Sequence, residues 1–398
     1  MHFSEKKSIF IALITLLIAG YLPCYSGEIS FFKNTEYALV PDEENLLQSS
    51  SFRPVIDLCG RWEYRIEGEA DWNPVEIPSC YSSSKTLYFR RSFQIDSTYV
   101  RKQIKLVALG IQYRCLIRIN GILVGIHAGG YTSFSFNISS GTLNFNRENH
   151  IEIVVFNRLN PYNTIPLLPS IWGWRNYGGI FREIFLTVYP KASIASIAPA
   201  YNFSQDYLSC KITNRILIQN APSTIIPEGD SEEENIVNLG VSVQLRKFED
   251  GSIVSQSPVS FIQIHRHGTV TIELNVSSPL LWSPLKPNRY RLVAELFEGG
   301  RQIDEYAVTI GLRDLTIRDG TIYLNNNPLQ LNGIFYHEDY PGLASAVNWK
   351  ALEHDIIIMK NLGVNFVQGG LYPCHPYFYQ LCDKYGLLTT ETQSCKKR

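Results

Sequence analysis

Asn120-Gly121 stands between two apolar runs, Cys115 to Ile119 and Ile122 to Ile126, and it constrains the fold more than any other feature of the chain. A two-residue turn between strands needs positive φ at both central positions, which Asn and Gly tolerate, so this segment is a β-hairpin. The same period-two logic recurs on either side. Ile104, Leu106 and Ala108 alternate with Lys105 and Val107, and Ile151, Ile153 and Val155 alternate with Glu152 and Val154. Alternation of this kind buries one face of a strand. No segment between 51 and 190 carries a helical period, so residues 51–190 read as an all-β sandwich or jelly roll. Residues 27–50 are polar and without period, an extended lead-in.

A second β region follows at 191–312. Its strand candidates are Leu208 to Ile218, Val237 to Arg246, Val270 to Val276 and Tyr290 to Glu298. About 120 residues with some seven short strands fits an immunoglobulin-like sandwich. The acidic stretch Glu228 to Glu234 reads as a solvated loop. After about residue 313 the period changes. Leu329 to Tyr336 reads as a strand. Asn348 then caps a helix whose Leu352, Ile356 and Met359 share one face and which Gly363 ends. Asn365 to Gln368 is a short strand, a second helix starts at Pro376 and closes at Gly386, and Leu387 to Thr392 is a third strand. The order β-α-β-α-β is that of a parallel α/β fold, here residues 313–398.

The net charge is -1, and no basic stripe interleaved with aromatics is present, which argues against nucleic acid as a partner. At the N-terminus, Lys6 and Lys7 precede an apolar run from Ile9 to Gly20, and Cys24 and Ser26 are small residues spaced for cleavage before Gly27. Residues 1–26 read as a secretory signal peptide, with an uncleaved membrane anchor as the competing reading. A lipid anchor on Cys24 fits poorly with Tyr21 and Pro23 beside it. The eight cysteines form no Cys-x-x-Cys pair and have no His at zinc-ligand spacing, so no metal site is expected from them. Cys59 and Cys80 could bridge in an oxidising compartment; buried free thiols are the simpler reading for most of the set.

Several local motifs, in order, carry a resemblance. They are Leu58-Cys59-Gly60-Arg61-Trp62, the Ile119-Asn120-Gly121 hairpin with His127-Ala128-Gly129-Gly130-Tyr131, and Asn176-Tyr177-Gly178-Gly179-Ile180-Phe181-Arg182. Leu281-Trp282-Ser283-Pro284, Gly311-Leu312-Arg313, Leu331-Asn332-Gly333 and His337-Glu338-Asp339 follow, then Tyr372-Pro373 and Cys382-Asp383-Lys384-Tyr385-Gly386. Together they resemble glycoside hydrolase family 2, the family of β-galactosidases, β-glucuronidases and β-mannosidases. The resemblance implies a mainly β architecture: a galactose-binding-like jelly roll, then an immunoglobulin-like sandwich, then the opening β-α-β-α-β of a (β/α)8 TIM barrel. Each motif also has a plainer reading. Gly-Gly and Asn-Gly pairs are tight turns, and Trp62 and Trp282 are core aromatics rather than sugar platforms.

The resemblance implies carbohydrate as partner and a sugar subsite near His337, at the C-terminal end of the first barrel strand, where barrel active sites sit. His337, Glu338, Gln368, Tyr372 and Glu391 are the substrate-binding candidates. The family's chemistry needs two carboxyl groups about 5–5.5 Å apart, one donating a proton to the leaving oxygen and one attacking the anomeric carbon. In the family both are Glu on later barrel strands, the acid directly after an Asn. No Asn-Glu dipeptide occurs after residue 313, and the 86 residues from Arg313 onward are short of the roughly 250 of a full barrel. No catalytic residue is therefore assigned.

The sequence also departs from the family pattern. Gln368 and Leu371 stand where it has Arg and His, Phe335-Tyr336 where it has Asn-Arg, and Gly173 where an Asp reaches the sugar. No cofactor is expected, although some relatives use Mg²⁺ or Na⁺. Three readings result: a hydrolase portion inactive alone, an enzyme completed by a second chain, and a non-catalytic carbohydrate-binding module. A homo-oligomer is possible for each.

Overall fold

The computed structural model describes residues 31–33, 39, 46–160, 170–171, 174–220, 236–370 and 372–391. The expected signal peptide at 1–26, the acidic stretch 228–234, Gly173 and Leu371 lie outside them. Among the described residues no helix is long and apolar enough to cross a membrane.

The alternating runs of the first region build a two-sheet sandwich. One sheet has six antiparallel strands: β1 (Gly60–Ile66), β2 (Asn73–Ile77), β3 (Thr86–Gln94), β4 (Arg114–Ile119), β5 (Ile122–Ala128) and β6 (Glu148–Phe156). Their spatial order is β5-β4-β6-β3-β1-β2. The facing sheet orders Phe134–Ile138, Gln103–Ala108, Ile184–Tyr189 and Val55–Asp57. Between them lie Trp62, Phe89, Leu106, Ile117, Ile153 and Leu186, all fully buried. Asn120 and Gly121 take φ of 52° and 81°, as the hairpin between β4 and β5 requires.

Trp62 donates its indole N–H to Leu58 O at 2.7 Å inside this core. The Cys59 and Cys80 alternative is settled as free thiols: both are buried, Cys59 Sγ accepts from Ile184 N and Cys80 Sγ donates to Leu343 O. All six described cysteines are unbridged.

The second sandwich sets Ala192–Phe203, Ser209–Asn220 and His267–Ser277 against a sheet of Ile253–Gln256, Val237–Lys247, Tyr290–Glu298 and Arg301–Ile310, with Ser260–Ile264 also pairing to Val237–Lys247. Ile212, Ile216, Val243, Leu274 and Leu292 fill its core. A buried ion pair ties it to the first sandwich. Arg53 Nη2 lies 2.5 Å from Asp304 Oδ2 with both side chains fully buried, and the Arg53 guanidinium sits 5.0 Å from the rings of Tyr189 and Tyr306.

The expected long strand from Leu329 to Tyr336 is shorter. A three-stranded antiparallel sheet (Leu315–Arg318, Thr321–Leu324, Asn327–Pro328) comes first, and only Gly333–Tyr336, β7, joins the parallel sheet. The small sheet turns at Asp319-Gly320 and Asn325-Asn326, all four with φ between 50° and 75°. These are the residue types such turns demand. β7 pairs in parallel with β8 (Phe366–Gly369), and β8 with β9 (Leu388–Thr390). Helix α1 (Trp349–Asn361) and helix α2 (Pro376–Tyr385) make the crossovers. Asn348 Oδ1 accepts Ala351 N–H at 2.8 Å as the N-cap of α1, and Gly386 closes α2 with φ 78°. Leu352, Ile356 and Met359 pack with Phe378, Leu381 and Val367, and this cluster extends onto Leu109 and Phe185 of the first sandwich.

Trp282 is the joint between the second sandwich and the barrel segment. It is fully buried, donates Nε1–H to Asp383 O at 2.9 Å, and accepts Asn325 Nδ2–H at its carbonyl. A Cβ on Gly311 would fall 2.8 Å from the Trp282 ring, so only Gly fits the close approach there. Gly311→Ala is therefore expected to cost about 1–3 kcal/mol of stability by overpacking, read as a lower urea midpoint. Asn348→Ala is expected to cost about 1 kcal/mol through the lost cap.

Candidate functional site

β7 ends at Tyr336, and the chain runs on through His337, Glu338 and Asp339 at the C-terminal end of the parallel sheet. Successive side chains alternate there. Tyr336 turns to the helix side, stacking on Phe378 at 4.7 Å. Phe335, Gln368 and Thr390 lie in one row across the three strands, all exposed on the opposite, open face. His337 is half-buried, edge-on to Phe335 at 4.7 Å and 5.9 Å from the Tyr372 ring. Gly370 makes room for it, since a Cβ there would lie 2.7 Å from His337 Nδ1. That nitrogen has no hydrogen-bond partner among the described residues, and partial burial lowers the basicity of the ring.

Glu338 points the other way and does not line the open face. It is buried, and both carboxylate oxygens are engaged: Oε2 takes Arg182 Nη2–H at 2.9 Å and Oε1 takes His375 N–H at 2.6 Å. Desolvated and committed to a seam between sandwich and barrel segment, this carboxylate is held away from any sugar. Arg182 also donates to Tyr131 O at 2.8 Å and Pro373 O at 2.9 Å. Tyr372 is buried, stacked on Tyr131 at 4.0 Å, and its hydroxyl accepts Glu338 N–H. It therefore forms the wall behind His337.

Glu391 lies at the far end of β9 and is exposed, its Oε1 taking the Tyr379 hydroxyl. His337 and Tyr372 thus come together. Gln368 shares their face, while Glu338 and Glu391 are bonded elsewhere.

Sequence reasoning passed over three participants. Asp339 is exposed next to His337 and accepts the Tyr177 hydroxyl at 3.1 and 3.2 Å, which brings the closing motif of the first sandwich to the mouth of the barrel segment. His375 caps α2 with Nδ1, which accepts Tyr377 N–H, so by this bonding pattern Nε2 carries the proton toward Glu183 Oε2 at 2.7 Å. The run Arg182-Glu183 between Gly-Ile-Phe and Ile-Phe-Leu was the available signal: two adjacent charges within an otherwise apolar stretch demand buried partners. Among the described residues no group of three His, Cys, Asp or Glu is arranged to hold a metal ion.

Burial alone would push the Glu183 carboxyl up, but His375 beside it and the Arg182 guanidinium overcome this and hold it below the ordinary value. A carboxyl depressed in the folded state contributes stability in full above its unfolded value, and the contribution is lost as pH falls through the lower folded value. The urea midpoint is expected to drop between about pH 5 and pH 2, and less steeply in Glu183→Gln. Equal acid slopes for the two proteins would contradict this role.

The chain thus sets two sandwiches ahead of a parallel β-α-β-α-β segment, with a His and aromatic wall at its C-terminal end. The description "Glycosyl hydrolases family 2" matches residues 218–313, and "Glycosyl hydrolases family 2, TIM barrel domain" matches residues 315–395. Over these two stretches the chain is similar to glycosyl hydrolase family 2. It is 27% identical over 307 residues to a beta-galactosidase of Thermoanaerobacter pseudethanolicus, covering 76% of this chain and 39% of that protein.

Among solved structures, a beta-glucuronidase of Bacteroides uniformis superposes with TM-score 0.74 at 22% identity, over 86% of this chain and 43% of that one. A beta-glucuronidase of Ruminococcus gnavus gives 0.73 at 20%, over 86% and 60%. These likenesses show the fold. The chain spans about two fifths of the length of the curated relative.

Proposed function

We propose that this chain supplies the substrate-facing front of a secreted retaining glycosidase acting on terminal β-linked sugars, β-galactosides or β-glucuronides first. In this reading residues 51–190 are the sugar-binding jelly roll, 191–312 the immunoglobulin-like spacer and 313–398 the opening of the catalytic barrel. His337, Gln368 and Tyr372 touch the sugar, with Asp339 at the rim. The observation that carries it is the meeting of His337, Tyr372 and Tyr131 at the C-terminal end of β7, where barrels of this type bind substrate.

Among the described residues, the barrel segment's Glu338 and Glu391 form no carboxyl pair for the chemistry. Glu338 is sealed in the seam, and Glu391 bonds Tyr379. The proposal is therefore that the chain alone does not turn over glycosides. Purified protein is expected to release no p-nitrophenol above buffer from p-nitrophenyl β-galactoside or β-glucuronide. Measurable turnover abolished by Glu391→Gln would overturn the assignment of no catalytic residue.

Exposed apolar groups favour a second element of this reading, completion of the barrel by further β/α units. Phe335 of β7 is 51% exposed, and Ile357, Ile358 and Leu362 at the end of α1 are also open. Supplying the remaining barrel, fused or as a second chain, is expected to yield activity. If a complete barrel stays inactive while the chain binds glycans, a carbohydrate-binding module is the better description. For secretion, N-terminal sequencing of exported protein is expected to begin at Gly27.

A further inference from the structure

The outward face of the six-stranded sheet carries a charge pattern that the sugar site does not use. Cross-strand registers place Arg118 of β4 opposite Glu152 of β6, Glu152 opposite Arg90 of β3, and Arg90 opposite Glu63 of β1. The row therefore reads plus, minus, plus, minus across four adjacent strands. Its ends are apolar: Leu123 of β5 follows Arg118, and Pro74 of β2 follows Glu63. These side chains project from the face opposite the core, because Ile117, Ile153, Phe89 and Trp62 on the same strands point inward. Arg90 and Glu63 are about half exposed and bond each other at 2.8 Å.

The neighbouring row sets Ile126, Leu116, Val154 and Tyr88 in register with Arg65 at its end; Val154 is buried within the chain and Arg65 lies over the Tyr88 and Trp72 rings, so the β5 and β4 end is the open part of the row. Leu123 and Ile126 are 52% and 47% exposed, which is unusual for two aliphatic side chains side by side on a sheet face.

We propose that this face is an isologous interface that takes a second copy of the same chain. A twofold axis running along the strands between β6 and β3 turns the sheet over and reverses the strand order. β6 then faces the partner's β3, β4 its β1, and β5 its β2. Under that operation Glu152 meets Arg90 of the other copy, and Arg118 meets its Glu63, so all four charges oppose their complement. In the same register Leu123 meets Pro74. An alternating row of even length is self-complementary when reversed; a row with one sign, or with an odd number of charges, is not. Aligned face-to-face packing of two sheets is a standard geometry, with the sheets about 10 Å apart. The open end of the barrel segment takes no part in the contact.

Sedimentation equilibrium of the full chain is expected to give a dimer. Glu152→Arg places Arg on Arg90 of the partner, and Arg90→Glu places Glu on Glu152, so each variant alone is expected to dissociate at least tenfold more readily. Mixed in equal amounts, the two are expected to form a heterodimer, because one central contact then keeps the parent pair, Arg90 on Glu152, and the other is restored with reversed sign by the two substituted side chains. Ile126→Asp, at an exposed position that leaves the core untouched, is a second disrupting variant, and circular dichroism melting shows whether each variant is folded. A monomeric parent chain would overturn the proposal. So would a dimer indifferent to all three substitutions, or folded single variants that fail to pair when mixed. A dimer that forms only through another surface would show as such indifference.

Discussion

The contact between Arg182 and Glu338 holds the rest in place. Arg182 comes from the link just ahead of the strand Ile184–Tyr189 of the first sandwich, and Glu338 from the first residues beyond β7. Neither is exposed to water, and burying such a pair is costly unless the remaining donors and acceptors are met. Here most are: Tyr131 O, Pro373 O and His375 N–H take up the other bonds, and Arg182 Nε has no partner among the described residues. Beside it Glu183 holds His375, so two adjacent residues just ahead of the strand Ile184–Tyr189 grip both the end of β7 and the start of α2. The His337 and Tyr372 wall is where it is because Glu338 on one side and the Tyr131 stack on the other leave those side chains little freedom.

A second joint, at Trp282, works by shape more than by charge. The ring fills the space that Gly311 leaves, and its indole N–H reaches α2 through Asp383 O. Lys360 of α1 adds bonds to Pro284 O and Gly386 O on the same side. The barrel segment is therefore held by the first sandwich at the C-terminal end of its strands and by the second sandwich along its helices. Both attachments are made by residues within short motifs that look like isolated turns in the sequence.

Much of the fold was legible because it rests on local rules. The hairpin at Asn120-Gly121, the cap at Asn348, the proline start at Pro376 and the left-handed stop at Gly386 all follow from residue chemistry read over a few positions. The small sheet at 315–328 was missed although Asp319-Gly320 and Asn325-Asn326 are turn signals of the same kind, because its strands are only two to four residues long. The site was less legible. Alternation along a strand separates Glu338 from His337 and Asp339, but it cannot say which face meets a partner. Only the fold shows that Glu338 faces a guanidinium 156 positions earlier, and that Asp339 meets Tyr177 instead of solvent alone. Long-range pairing of this sort leaves no periodic trace.

The central claim is that the sandwich and the barrel segment are one energetic unit, joined through Arg182 and Glu338. A double-mutant cycle with Arg182→Met and Glu338→Leu, followed by urea unfolding, tests it most directly. Each single change strands a buried charge and is predicted to cost about 3–5 kcal/mol. The double change removes both charges and is predicted to cost clearly less than the sum, a coupling of about 1–3 kcal/mol. Costs that simply add, or single variants as stable as the parent, would contradict the account.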